Sequence, residues 1–323
     1  MVKKKFIIVS LIIFSFNISI FPQNKVGTTS FQFLEVMTSA RGTALGESYG
    51  AVVDNSEAVF WNPAALTRIN NMDVSLGYTQ WLFGTSHYSF AGAYTIGRWG
   101  TIGIQGLYTN LGNIEVTTVN ALGFIGDNYN PGLTGQVINP HQYVIGISYA
   151  KDLTDKFAFG LTAKYAEEDL IVMSKGTICF DGGFTFNTGY KSIRIAASIR
   201  NFGPQVTYVT TSYPLPQLFN IGIAGYLFSP TDGLLVNIPN QSLQITFDLI
   251  QPRDYNQQTS LGLEYSYENM VFLRGGYKFN GDQEGISAGV GINYNRYRID
   301  YSFTNYGSFL GDVYRFTVGF ELK

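Results

Sequence analysis

The residues of this sequence that could perform catalysis are few. His87 lies close to Ser86 and Ser89, an arrangement that a hydrolase of the cell surface could use. A catalytic triad is defined by geometry and by the roles of its groups, so proximity in sequence alone does not predict one. We interpret His87 as a solvated histidine at the rim of the fold. The sequence also has no His, Cys and acidic residues at metal-ligand spacing. It therefore predicts no enzyme activity, no metal and no cofactor.

A larger set of charged residues falls at alternate positions of strand-like segments, and hence on one face of each strand. Adjacent strands should bring Glu264 beside Arg274, and Arg298 and Asp300 beside Arg315. Charges of opposite sign that pair across strands are tolerated on an inward face. The alternation predicts a lumenal charge ladder that holds strand register or, alternatively, selects ions: Lys164, Arg194, Arg200, Asp248, Glu264, Arg274, Arg298, Asp300 and Arg315.

The strands that carry these charges have an inside-out pattern. From Leu261 to Leu322, one face is built of large apolar and aromatic residues, and the other of Gly, Ser and isolated charges. A soluble sandwich buries its apolar face and usually exposes Lys, Glu and Thr. An outer-membrane barrel turns its apolar face to lipid and places aromatic girdles at the interfaces. The pattern predicts that these strands contact outer-membrane lipid.

Bulk composition agrees with a membrane barrel. The 323 residues are 14% charged and 15% aromatic, and they include 36 Gly, whereas globular proteins average about 25% charged residues. Lys3, Lys4 and Lys5 precede an apolar run, which predicts a signal peptide over residues 1–23. Its removal deletes three Lys and no acids, so the net charge changes from −2 to −5. This acidity argues against nucleic acid as a partner. The single Cys179 excludes an intramolecular disulfide framework, and we interpret it as a small packed residue.

Counting the period-two segments predicts the fold class: an all-β, antiparallel transmembrane outer-membrane β-barrel of about 14 strands over residues 72–323. With the N-terminus placed in the periplasm, long external loops alternate with short periplasmic turns, and both chain ends are predicted to be periplasmic. The predicted strands are 73–82, 85–95, 99–110, 141–151, 155–167, 176–188, 191–201, 217–228, 242–251, 258–267, 269–279, 284–295, 296–305 and 313–322.

Two of the predicted external connections, 111–140 and 202–216, are long enough to form a folded cap, with ordinary variable loops as the alternative. Aromatic residues cluster in and near such loops. They are candidates for a docking patch, although Tyr at a membrane interface more commonly forms a lipid-side girdle. The docking candidates are Phe202, Tyr208, Tyr213, Tyr306 and Phe309.

Residues 24–71 differ from the strands because they are rich in small and helix-compatible residues. Asn62 is a plausible helix cap, with Pro63 at the first helical position. A barrel of this size has a lumen too wide for its own side chains to fill. The sequence therefore predicts a plug or hatch that enters the lumen or covers its periplasmic mouth. Its notable residues are Arg41, Asp54, Glu57, Trp61, Asn62 and Pro63, of which Arg41, Asp54 and Glu57 are natural counter-charges for the ladder.

Several motifs resemble a known family. The stretch from Ser39 to Ala51 and the sequence Trp61-Asn62-Pro63-Ala64-Ala65-Leu66 resemble the N-terminal signature of the PorV/PorQ family, which belongs to the FadL-like barrels. The C-terminal strands are similar as well, for example Leu273-Arg274-Gly275-Gly276-Tyr277. The last strand departs from the family pattern, because Tyr314 precedes Arg315 where a His-Arg pair is common.

The resemblance implies a fourteen-stranded barrel with an N-terminal hatch. PorV-like members receive cargo proteins exported by type IX secretion and present them to the attachment machinery. FadL-like members instead pass hydrophobic small molecules, such as fatty acids and aromatics, through a lateral opening. Fold alone does not decide between these functions. The resemblance therefore implies a non-enzymatic docking or shuttle protein, with a hydrophobic-molecule channel as the alternative.

Overall fold

The computed structural model describes residues 26–171, 173–281 and 285–322, so the predicted signal peptide lies outside the described residues. These residues form nineteen strands. The strands are β1 (Met72–Gln80), β2 (Ser86–Thr95), β3 (Thr101–Asn110), β4 (Ile114–Ile125), β5 (Asn128–Ile138), β6 (His141–Asp152), β7 (Phe157–Asp169), β8 (Ser174–Asn187), β9 (Arg194–Phe202), β10 (Val206–Tyr208), β11 (Thr211–Tyr213), β12 (Leu218–Ser229), β13 (Val236–Asn237), β14 (Gln241–Pro252), β15 (Gln258–Tyr267), β16 (Val271–Phe279), β17 (Ile286–Tyr294), β18 (Tyr297–Asn305) and β19 (Asp312–Leu322).

Fourteen of these strands close into one antiparallel barrel, as predicted. Its order is β12-β14-β15-β16-β17-β18-β19-β1-β2-β3-β6-β7-β8-β9, and β9 pairs with β12 to close the circle. β1 pairs along its whole length with the last barrel strand, with Met72 opposite Leu322 and Gln80 opposite Tyr314. Closure leaves no barrel edge with unpaired backbone groups, which a lipid environment requires.

The wall is apolar on the outside and polar on the inside. In β3, Gln105 and Thr109 are buried in the interior, whereas Ile102 and Ile104 are exposed on the outer face. The same alternation holds around the barrel and corresponds to the lipid-facing band and polar lumen of outer-membrane barrels. No helix in the described part of the chain combines the length and the apolar character needed to cross a bilayer.

Five short or accessory strands were not predicted. β4 and β5 form a separate two-stranded sheet within the connection 111–140, and β10 and β11 form another within 203–217. β13 adds a parallel pairing of two residues to β12. Both long connections are therefore folded hairpins. Short helical turns complete the loops: Leu82–Gly84, Gly97–Trp99 and Gly307–Leu310.

The N-terminal segment (residues 26–71) lies inside the barrel. It contains 3₁₀ turns at Gln32–Glu35 and Pro63–Arg68, and short α-helices at Ala40–Ala44 and Ala58–Trp61. The helix Ala40–Ala44 contacts β16 to β19, whereas the turn Pro63–Arg68 contacts β3, β6, β7 and β8 on the nearly opposite wall. The segment thus bridges the lumen from side to side.

The direction of the N-terminal segment differs from the prediction that both chain ends are periplasmic. Ser30 N donates to Pro214 O, and Thr29 donates to Asp254, so the start of the segment is bound to two connections at the external end. The chain then descends through the lumen and reaches the opposite end before β1. Only the barrel strands themselves begin and end on the periplasmic side. Strand parity does not constrain a chain that passes through the lumen, and the chain ends themselves lie outside the described residues.

Candidate functional site

A continuous series of ion pairs joins the N-terminal segment to the barrel wall. Arg41 Nη1 lies 2.7 Å from Asp54 Oδ1, and Arg41 donates to both oxygens of Glu264 at 2.8 Å. Glu264 Oε2 also accepts from Arg274 Nε at 2.6 Å, and Arg274 Nη1 contacts Asp300 Oδ1 at 2.6 Å. Bidentate Arg–carboxylate pairs have a fixed geometry. Glu264 and Arg274 are thus neighbours, and Arg41 of the N-terminal segment lies against the same carboxylate.

The predicted pairing of Arg315 is wrong. Strand register places Arg315 opposite Ser302, and Asp300 opposite Thr317. Arg315 instead donates to the backbone oxygen of Met37 at 2.9 Å and lies over the Trp81 ring. It therefore fastens the N-terminal segment without a carboxylate.

Arg298 reaches a partner that the sequence did not suggest. Arg298 Nη1 lies 3.2 Å from Asp73 Oδ2, and its Nε is 3.9 Å from Asp300. Asp73 belongs to β1, two strands away in the barrel order, so nothing in the linear sequence indicated this contact. Only the closure of the barrel brings Asp73 and Arg298 together.

The remaining ladder residues line the lumen with diverse partners. Lys164 pairs with Asp181 at 2.8 Å, and Asp248 accepts from Ser48 of the N-terminal segment at 2.8 Å. Arg200 donates to the backbone oxygen of Phe60 at 3.0 Å. Arg194 is half-buried and lies over the Tyr226 ring at 6.0 Å.

Some lumenal charges escaped the sequence analysis. They are Asp73, Asp181 and Lys278, and Lys278 pairs with Glu47 of the N-terminal segment at 2.6 Å. Applying strand parity to every charged residue of the predicted strands would have found all three. The collective role of the ladder stays a prediction.

The other predicted hatch residues hold the N-terminal segment in shape. Asn62 Oδ1 accepts from Ala64 N at 3.1 Å, as the predicted cap requires, with Pro63 next to it. Asn62 Nδ2 also donates to Phe184 O of β8 at 3.1 Å. Trp61 packs edge-on against Tyr49 at 5.3 Å. Glu57 Oε2 accepts from Asn55 at 3.3 Å.

The external end contains two cavities around the start of the N-terminal segment. The larger, here the mouth cavity, has a volume of about 770 Å³ and includes Glu35, Trp81, His87, Glu168 and Tyr208 in its lining. A second cavity of about 500 Å³ shares Glu35 with it. Burial, followed by the neighbouring charge of Asp254, raises the pKa of Glu35 to about 8. The mouth of the barrel is thus open to a ligand, whereas the N-terminal segment fills the lumen below.

The docking candidates fall in different environments. Phe202 and Phe309 are exposed, the latter at 88%. Tyr208 and Tyr213 line the mouth cavity, and the hydroxyl of Tyr208 donates to Glu168 at 2.6 Å. Tyr306 is buried and packs edge-on against Trp81 at 5.3 Å, so it cannot form part of an exposed patch.

His87 also differs from its interpretation as a solvated residue. Its side chain is only 2% exposed, and Nδ1 contacts Thr109 Oγ1 at 2.8 Å. Parity places Ser86 on the opposite face of β2, so these two residues do not form a dyad. Ser89 shares the inner face with His87 but stands two positions along the strand. Cys179 is fully buried, as predicted.

Comparison with known proteins places this geometry in a family. A family model described as the type IX secretion system protein PorV matches residues 21–225, more than half of the chain. A search of curated proteins found no match.

Similar solved structures share this fold. The CymD monoaromatic hydrocarbon channel has a TM-score of 0.57 and 12% identity, covering 88% of this chain and 97% of its own. A FadL homologue from Pseudomonas aeruginosa has a TM-score of 0.53 and 9% identity, covering 89% and 99%. The toluene transporter TodX of Pseudomonas putida has a TM-score of 0.52 and 11% identity, covering 85% and 95%. The chain therefore belongs to the PorV family, and it is an outer-membrane β-barrel with a FadL-like fold.

Proposed function

We propose that this protein is a non-enzymatic docking protein that receives polypeptides exported by type IX secretion at the external end of the barrel. Membership of the PorV family supports the secretion context. The observation that carries the docking role is the β4–β5 hairpin, which is not hydrogen-bonded to the barrel sheet. Its outer edges offer backbone donors and acceptors to an added strand.

The side chains of the hairpin suit the same role. Val119, Phe124, Ile125 and Tyr129 are 60–79% exposed, and the hairpin carries few charges. Contiguous exposed apolar residues commonly mark protein interaction sites. The N-terminal segment occupies the lumen, which favours a partner bound outside the barrel over one that passes through it.

Paired substitutions at the two ends of the barrel test the docking role. We expect Phe124→Ser with Tyr129→Ser to reduce co-purification of secreted proteins that share a C-terminal domain, because the two rings contact each other at 5.5 Å on the hairpin. The matched control is Tyr190→Ser with Leu235→Ser, which removes exposed apolar side chains, 65% and 79% accessible, from the periplasmic end. Equal co-purification by both double variants would contradict docking on the hairpin.

A channel for hydrophobic small molecules is the second candidate. The cavity of about 500 Å³ at the external end, with Leu218, Ile250 and Leu310 in its lining, supports it, together with the fold shared with hydrocarbon channels. A deletion strain separates the candidates. Normal secretion with slowed uptake of a fatty acid or aromatic compound would favour the channel, whereas cargo retained inside the cell would favour docking.

A further inference from the structure

The mouth cavity has an acidic and aromatic lining. Among its described lining residues, Glu35, Glu47 and Glu168 carry carboxylates, and none is Lys or Arg. Trp81 and Tyr208 add aromatic surface. Aromatic faces attract cations, and a concave wall with charges of one sign concentrates counter-ions. This combination favours a positively charged ligand over a neutral hydrocarbon or a carboxylic acid.

Two of the three carboxylates already have partners. Glu47 pairs with Lys278 at 2.6 Å, and Glu168 accepts hydrogen bonds from Gln142 and Tyr208, each at 2.6 Å. Glu35 differs, because its Oε1 atom is buried and has no hydrogen-bond partner among the described residues. A buried acceptor without a partner is costly. Glu35, which lines the cavity, is therefore the carboxylate with unused capacity to accept from a ligand.

His87 provides a second unsatisfied atom in the same lining. Its side chain is almost fully buried, Nδ1 contacts Thr109 Oγ1, and Nε2 has no partner among the described residues. In the tautomer whose Nδ1 donates to Thr109, Nε2 is an acceptor. His87 thus adds a second acceptor to the lining of the mouth cavity.

We propose that the mouth cavity binds an organic cation, namely a primary ammonium or guanidinium group carried on an apolar stem. The Glu35 carboxylate accepts from the cationic head, and Trp81, Phe33 and Tyr208 contact the stem. Such a group could belong to a free amine or to a Lys or Arg side chain of a bound polypeptide. The site does not depend on the docking role proposed above.

The charged groups around Glu35 determine how binding varies with pH. Asp254 and Glu47 disfavour its ionised form, whereas Arg200 and Lys278 favour it. Burial is the largest effect, and the pKa of Glu35 is raised to about 8. A cation stabilises the carboxylate, so binding should release a proton near neutral pH and become tighter as the pH rises from slightly acidic values towards that pKa.

Isothermal titration of the purified full-length protein in detergent tests the proposal with a pair of matched probes. Phenethylamine should bind saturably, and 3-phenylpropanoate, which carries the opposite charge on a similar stem, should not. Glu35→Gln should weaken phenethylamine binding about ten- to hundred-fold, the usual effect of losing a charged hydrogen-bond partner. Glu168→Gln should weaken it as well.

Glu268→Gln is the control, since it removes the same charge from an exposed turn at the periplasmic end. A capped Gly-Lys-Gly tripeptide, compared with its norleucine analogue, distinguishes the two sources of the cation. Lysine-dependent binding assigns the site to polypeptides, and binding of phenethylamine alone assigns it to free amines. Equal affinity for the amine and the carboxylate, unchanged affinity in Glu35→Gln, or no binding of either cation would overturn the proposal.

Discussion

At the scale of single residues, Glu264 is the centre of the interior charge series. It accepts from Arg41 and Arg274 and is itself only 4% exposed. Removing one member of a buried pair leaves charge without compensation. We expect Glu264→Gln to lower the free energy of unfolding by about 3 kcal/mol, the lower end of the usual range because each Arg keeps a second carboxylate. Urea unfolding in lipid vesicles, monitored by tryptophan fluorescence, measures this change in the free energy of unfolding.

Glu268, in the exposed turn between β15 and β16, provides the reference for the Glu264→Gln change. Glu268→Gln removes an equal charge far from the series and should leave the free energy of unfolding within about 0.5 kcal/mol of the wild type. If Glu264→Gln were equally mild, the ion pairs would not be what fastens the N-terminal segment.

Glu35 predicts a pH dependence of stability. Its pKa is raised from 4.5 to about 8 in the folded protein, so the folded state keeps a proton that the unfolded chain has already lost. The stabilisation that Glu35 contributes to the folded state is therefore fully present below pH 4.5, and it is lost as the pH rises to about 8. A glutamine side chain at this position cannot ionise. Glu35→Gln should thus stabilise the protein more above the raised pKa, at about pH 9, than near the unfolded-state pKa, at about pH 5.

Unfolding in urea at both pH values, without any added amine, checks this prediction. Asp254 and Glu47 oppose ionisation of Glu35, whereas Arg200 and Lys278 favour it, so these residues must be unchanged in the comparison. A difference between wild type and Glu35→Gln that is the same at both pH values would show that Glu35 does not titrate in this range.

At the scale of elements, adjacent glycines of β16 distinguish its two faces. A Cβ added at Gly276 would collide with backbone atoms of Leu45 and Gly46, whereas one added at Gly275 would meet nothing within 4 Å. Gly276→Ala should force the N-terminal segment away from the wall and cost about 1–3 kcal/mol, the usual penalty of overpacking. Gly275→Ala should be neutral or slightly stabilising.

Hydrogen exchange of residues 40–46 measures this displacement directly. Faster exchange in Gly276→Ala than in Gly275→Ala is the expected result. Equal exchange in both variants would mean that the close approach of the N-terminal segment to β16 does not hold it in place.

The sequence predicted the barrel strands well because most of them alternate with period two over most of their length, with interruptions such as the bulge between Tyr226 and Phe228. It missed β4 and β5 because the ladder between them shifts register twice, after Glu115 and after Thr117, and these shifts break the alternation. The pairings of Arg315 and Arg298 were missed for another reason. Which inward residues meet depends on the register between strands and on barrel closure. The alternation along a single strand gives no information on either. The burial of Tyr306 and His87 likewise depends on Trp81, which is distant from Tyr306 in sequence.

At the scale of the whole molecule, the N-terminal segment converts a wide barrel into a filled one. Arg41 fixes it to β15, and Asn62 fixes it to β8 on a distant part of the wall. Other contacts hold the segment as well, among them Lys278 with Glu47 and Arg315 with Met37, so losing either attachment alone should not free it. Losing both loosens two distant parts of the segment at once, so their effects on permeability should be non-additive.

Planar-bilayer recording tests this coupling. We expect the wild type to show little ion conductance, and Arg41→Ala or Asn62→Ala alone to remain nearly silent. The double variant should conduct more than the two single variants together, because a fourteen-stranded lumen is wide enough for ions wherever its filling is displaced. A difference in electrophoretic migration between the unheated and the boiled sample verifies that each variant is folded. A wild type that conducts as much as the double variant would mean that ions pass around the N-terminal segment. That result would favour the channel function over docking.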